Sequence, residues 1–255
     1  MTLGLPVSTM IAFLYVLARV AGVVTFLPVP GFKDAPMPVR AGLALALTIA
    51  LFPVWPSVPD ELPAFGQLTA AALTEAGFGL MVGLAVAFLN EGFQLASQIF
   101  GVQAGYGFAT TIDPTSQADA GVVQVMMTLI TGLLFFTCGF DHQVVRVLAA
   151  SFEKFPAGTW TLGAASIDGI VHLGGGMFTL GLRLAMPVIA MLLLLDFALA
   201  LLGRMQQQLQ LLSLSFPVKM MAATAILTVL APVIARLYQD AGNHMVGELW
   251  KLAGR

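Results

Sequence analysis

The chain has 255 residues, 58% of them apolar and only 9% charged, with 11 basic against 13 acidic side chains and a net charge of −2. A soluble domain carries roughly 25% charged residues, and a mean hydropathy of +0.92 leaves too little polar surface to clothe a soluble fold. These figures exclude a soluble enzyme and a disordered tail, and the scattered Lys and Arg form no basic footprint for nucleic acid. The composition is that of an all-α polytopic membrane protein.

Residues 1–18 carry no charge, and Arg19 is the first basic residue. A cleaved secretory signal needs a positive stretch ahead of its apolar core, so residues 7–27 predict a retained membrane helix. Crossing ~30 Å of hydrocarbon takes about 20 mostly apolar residues. Further segments that reach or approach this lie at roughly 39–53, 66–100, 121–140, 170–203 and 218–238, with an amphipathic stretch at 141–155. Proline clusters separate the first three: Pro28, Pro30, Pro36 and Pro38, then Pro53, Pro56, Pro59 and Pro63. A proline lacks the N–H of a helix interior and pushes the preceding residue away from helix, which makes these clusters loops.

Segments 66–100 and 170–203 would be helices of ~52 and ~51 Å at 1.5 Å per residue, too long for a simple crossing. Each is either a bent hairpin or a rod that extends past the bilayer. The count of positive charges does not fix an orientation. Lys33 and Arg40 place the first loop in the cytoplasm, whereas strict alternation then sends the basic residues of the tail to the other side. Residues 239–255 alternate polar and apolar side chains around Trp250, a pattern suited to the headgroups or to a neighbouring protein.

His142, His172 and His244 have no second ligand at metal-like spacing, and the single Cys138, among Phe135, Phe136 and Phe140, fits a packing role. No catalytic constellation, metal site or cofactor site is expected. Gly79 and Gly83 form a small-residue face that lets helices approach closely. The intramembrane charges Arg19, Glu75, Glu91, Arg183, Asp196 and Arg204 are more informative. Each costs ~2.5–3.5 kcal/mol at mid-bilayer, so each should face protein or water. Asp196 and Arg204 lie ~80° apart around a helix and ~12 Å along it, too far for contact. The segment Gly101–Gly121 combines glycine freedom, an Asp113-Pro114 turn and the apolar Tyr106, Phe108 and Ile112. A surface linker needs none of those apolar residues, so a re-entrant or pore-facing segment is expected.

These stretches resemble the FliR family of type III secretion export-gate proteins along nearly the whole chain. The resemblance is carried by Gly101–Pro114 (GVQAGYGFATTIDP) and Ala185–Pro217 (AMPVIAMLLLLDFALALLGRMQQQLQLLSLSFP). Ala18-Arg19-Val20, Pro38–Leu43, Glu75 with Gly79 and Gly83, and Phe155–Gly158 support it. It implies long bent helical hairpins, with a FliP-like part at about 1–168 joined to a FliQ-like part at about 169–255. It also implies a structural subunit of the flagellar export gate in the bacterial inner membrane, within the basal body. The partners would be FliP-type, FliQ-type and FlhB-type subunits, membrane lipid and unfolded flagellar export substrates. A plug loop would match about Tyr106–Ala120 and include Gly107, Phe108, Ile112, Asp113 and Pro114, and the intramembrane charges would serve subunit packing. Departures from the family pattern are Ala104 where Met is common, Asp196 where Asn is common, and Gln207-Gln208 near a usual Pro-Gln pair. The rival readings are a small-solute secondary transporter with broken helices and a virulence-type homologue of the same gate.

Overall fold

The structure, a computed structural model, describes residues 6–28, 36–58, 63–106, 121–161, 163–205 and 211–253. The described residues form α1 (Val7–Thr25), α2 (Met37–Ala50), α3 (Phe65–Ala104), α4 (Val122–Thr137), α5 (Phe140–Lys154), α6 (Ala164–Met205) and α7 (Leu211–Leu252), with one 3₁₀ turn at Phe52–Val54. The protein is an all-helical polytopic membrane protein. By length and hydropathy, α1, α3 and most of α6 and α7 can each cross a bilayer, while α4 and α5 form a pair bent by 60°. Gly139, at φ +71°, supplies the bend, because its missing Cβ removes the penalty of a left-handed backbone. Cys138 sits in this turn, half-buried, and not within an apolar helix as its neighbours suggested.

The two long segments are single unbroken helices of 40 and 42 residues. At 1.5 Å per residue they reach about 60 Å, twice the hydrocarbon thickness. Both stay helical through their glycines, and α6 also runs through Gly174-Gly175-Gly176 and the lone Pro187 without a break. A third rod was not foreseen. Segment 218–238 and the polar tail merge into α7, which runs through Pro217 and Pro232. In an apolar setting neighbouring groups re-satisfy the carbonyls that proline frees, and breaking the helix would expose more of them.

Packing divides the chain into two compact units that cut across the helices. Unit 1 holds residues 1–88, 135–174 and 242–255; unit 2 holds 89–134 and 175–241. In unit 1, α1 crosses α3 on glycine. A Cβ on Gly22 would stand 2.6 Å from Ala76 O and Leu80 N, and one on Gly79 would overlap the carbonyl of Arg19. The close approach expected of Gly79 and Gly83 is therefore made to α1. The tail packs inside this unit too: Met245 and Leu249 are buried, Gly242 lies against the Phe140 ring, and Leu252 against Gly169. Its amphipathic pattern thus faces this chain, whereas headgroups or a neighbour were the expected surfaces. In unit 2, α3 and α6 make a second glycine crossing, where Cβ atoms on Gly92 and Gly181 would meet Met177 O at 3.1 Å and Gly92 O at 2.9 Å.

Candidate functional site

Unit 1 encloses an ion pair with no water-exposed surface. Arg19 of α1 and Glu75 of α3 are both 0% exposed, and Arg19 Nε donates to Glu75 Oε2 at 2.5 Å. The other two guanidinium nitrogens also donate. Nη1 donates to Ser151 Oγ of α5 at 2.7 Å, and Nη2 to the Phe155 carbonyl at 3.3 Å. The second carboxylate oxygen accepts from the Gly158 backbone N–H at 2.7 Å. Gly158 has φ +79°, which turns that N–H toward Glu75 in a conformation other residues resist. The guanidinium also lies 4.0 Å from the Phe152 ring centroid and 4.7 Å from that of Phe78, where aromatic faces attract a cation. Trp160 meets Phe78 edge-on at 5.6 Å.

Three separate stretches that carry the family resemblance converge here: Ala18-Arg19-Val20, Glu75 with Gly79, and Phe155–Gly158. Two buried charges are tolerable in a low-dielectric interior only when geometry and hydrogen bonding compensate their lost hydration. Every element of that compensation comes from this one chain.

Unit 2 holds a more open arrangement where α3 ends. Asp196 of α6 pairs with Lys219 of α7, and these side chains are 34% and 17% exposed. Gln103 Nε2 donates to the same carboxylate at 3.3 Å. Two residues beyond α3, the Tyr106 hydroxyl lies 2.8 Å from Thr224 Oγ1 and 3.2 Å from the Met220 carbonyl. A Cβ on Gly105 (φ +82°) would press into the Phe216 ring at 2.7 Å. The ends of the Gly101–Pro114 and Ala185–Pro217 stretches therefore meet around α7. Deeper in this unit, Tyr238 donates to Asn90 Oδ1 at 3.1 Å and packs on Phe93 at 5.2 Å.

Of the sequence-derived candidates, Arg19 with Glu75 and Asp196 with Tyr106 lie in these two clusters. Glu91 is half-buried on α3, while Arg183 and Arg204 are exposed on α6. Gly107, Phe108, Ile112, Asp113 and Pro114 lie outside the described residues. Sequence reading missed Ser151, the Phe155 carbonyl, the Gly158 N–H, Gln103 and Lys219. Among the described residues no group of three or more His, Cys, Asp or Glu side chains is arranged to hold a metal ion.

The family described as "Bacterial export proteins, family 1" matches residues 10–245. Among similar proteins, the flagellar biosynthetic protein FliR of Escherichia coli (strain K12) is 29% identical over 241 residues, covering 94% of this chain and 90% of that protein. FliR of Aquifex aeolicus is 26% identical, covering 83% of each chain. FliR of Bacillus subtilis is 25% identical, covering 88% of this chain and 87% of that one. With the match spanning every described helix from α1 into the last turns of α7, the chain belongs to the family of bacterial export proteins that includes FliR.

Proposed function

We propose that this chain is the FliR-type structural subunit of the flagellar type III protein export gate in the bacterial inner membrane, within the flagellar basal body. The carrying observation is the family match over residues 10–245, with flagellar proteins as its relatives. Its work is architectural: it helps to close a helical pore assembly through which unfolded flagellar proteins pass. FliP-type and FliQ-type subunits complete the pore beside an FlhB-type subunit. Residues 1–168 form the FliP-like part and 169–255 the FliQ-like part, the latter being nearly the whole α6–α7 pair.

The surface of α6 supports a subunit role. Only 22% of its most apolar window is buried within the chain, and Gly176, Thr179 and Arg183 all lie exposed there at helical spacing that puts them on one face. Facing lipid, the arginine would cost ~2.5–3.5 kcal/mol. Small and polar residues are what membrane helices present to one another, so this face receives a partner subunit. Arg204, exposed further along α6, adds a second charge for such packing.

The segment Tyr106–Ala120 serves as the plug, with Tyr106 as its tether to α7. A few apolar side chains held at roughly 1.5–3 kcal/mol each, less the entropy of ordering the loop, would close the pore yet yield to an incoming polypeptide. The flagellar identity of the relatives favours the flagellar gate over a virulence-type homologue, and the export family favours protein passage over small-solute transport.

The test is genetic. Removing the gene should abolish flagellar export and motility, and the intact chain should restore both. Deleting Tyr106–Asp119 should leave the complex assembled but the membrane permeable to ions. Unchanged export in the null strain would refute the function, and a tight membrane with the deletion would refute the plug alone.

A further inference from the structure

Unit 2 carries a row of uncharged polar side chains in its interior. Asn90, Gln94 and Ser97 of α3 and Thr131 of α4 are all buried. Intervals of four and three residues put the first three on one face of α3. Gln94 Nε2 donates across to Thr128 Oγ1 of α4 at 2.7 Å, and Tyr238 of α7 donates to Asn90 Oδ1. The hydroxyl protons of Ser97, Thr128 and Thr131 are spent on backbone. Ser97 donates to the Gln94 carbonyl at 2.7 Å, Thr128 to that of Gln124 and Thr131 to that of Met127, the last two at 2.9 Å. Gln94 Oε1 is buried and has no hydrogen-bond partner among the described residues.

A buried amide oxygen without a donor has lost its hydration with nothing in return, which native interiors seldom tolerate. Turning the amide over is no remedy. Thr128 would have to withdraw its proton from the Gln124 carbonyl to serve Oε1, and Nε2, with its two N–H groups, would become the orphan instead. The row thus has acceptors to spare in Gln94 Oε1, Ser97 Oγ and Thr131 Oγ1, and it lacks donors. Water brings two. A cation also takes oxygen ligands, but none of these side chains bears the negative charge that would offset it in an apolar interior. Space comes from small residues: Ser97 is short, and Gly132, buried one turn beyond Thr128, adds no side chain to that face of α4. We propose that one water molecule is bound between α3 and α4 at Gln94. It donates to Gln94 Oε1 and to a second oxygen within a turn, Ser97 Oγ or Thr131 Oγ1. The site stands apart from the export reading.

Solid-state NMR tests it on the nitrogen-15 protein, taken from membranes with whatever subunits accompany it and placed in nanodiscs of deuterated lipid. The Gln94 side-chain amide is the signal missing from Gln94→Met; should that variant not accumulate, Thr128→Val identifies the same signal by shifting it. Magnetisation from water should reach this amide severalfold faster than it reaches the backbone N–H groups of Val123 and Met127, which are equally buried on α4. Transfer no faster than at those two groups would overturn the proposal. Gln94→Met, similar in length but unable to hold the water, should lower the thermal unfolding midpoint by about 2–4 °C. An unchanged or higher midpoint would mean that the oxygen is simply unsatisfied, and would overturn the proposal as well. A wild-type midpoint that climbs with sodium but not with choline would give the place to a cation, with the same consequence.

Discussion

Two ion pairs in this chain solve different problems. Arg19–Glu75 is wholly enclosed; Ser151 and the Phe155 carbonyl accept from the other two guanidinium nitrogens, and the Gly158 N–H donates to the second carboxylate oxygen. Asp196–Lys219 is partly open, with 34% and 17% of the side chains accessible, and has one weak additional donor in Gln103. The first pair joins α1, α3, α5 and the turn after α5, so it holds unit 1 together. The second links α6 to α7 beside Tyr106. An enclosed pair punishes loss of either member, because the survivor is stranded without water. A more open pair leaves room for water or a partner's polar group to take up what is removed, so losing one member should cost less than in the enclosed pair.

The contrast can be broken most sharply in unit 1. Arg19→Leu should strand the Glu75 carboxylate and lower stability by about 3–5 kcal/mol, read as a drop in the thermal unfolding midpoint in nanodiscs. Arg19→Leu with Glu75→Leu should recover much of that loss. If the double variant is as unstable as the single one, the enclosure argument fails. A smaller effect is expected at the helix crossing beneath the pair. Gly79→Ala drives a methyl into the Arg19 carbonyl and should cost about 1–3 kcal/mol, whereas Gly42→Ala, with open space around it, should leave the midpoint nearly unchanged.

In unit 2 the effects should be slight. Asp196→Asn keeps a hydrogen-bonding oxygen for Lys219 and should change stability by at most ~1 kcal/mol. Tyr106→Phe removes one hydroxyl and should cost about 1 kcal/mol locally. Faster hydrogen exchange at Gly105 and Tyr106, with the global midpoint unmoved, is the measurement that checks it. A global loss from either change would erase the distinction between the two pairs.

Much of this architecture was legible in the chain. Proline clusters marked the ends of α1 and α2, and long, mainly apolar runs marked α3 and α4, because those signals act within a few residues. The extent of α7 was not legible. Pro217 and Pro232 argue locally for breaks, and only the cost of freed carbonyls in an apolar setting overrides them. The intramembrane charges announced that partners were needed but not which ones. Arg19 and Glu75 are 56 positions apart, and part of their shell is backbone, the Phe155 carbonyl and the Gly158 N–H, which no residue type advertises. The tail misled for a related reason: an amphipathic stripe shows that something apolar covers it, not whether that cover is lipid, a neighbour or this chain.

The central claim is that this chain is a gate subunit whose interior is held by its own ion pair while α6 awaits a partner. Gentle detergent extraction followed by native mass spectrometry tests it most directly. A stable assembly of this chain with two other kinds of small membrane protein is the predicted result. A lone monomer or a homodimer, from cells that make functional flagella, would contradict it.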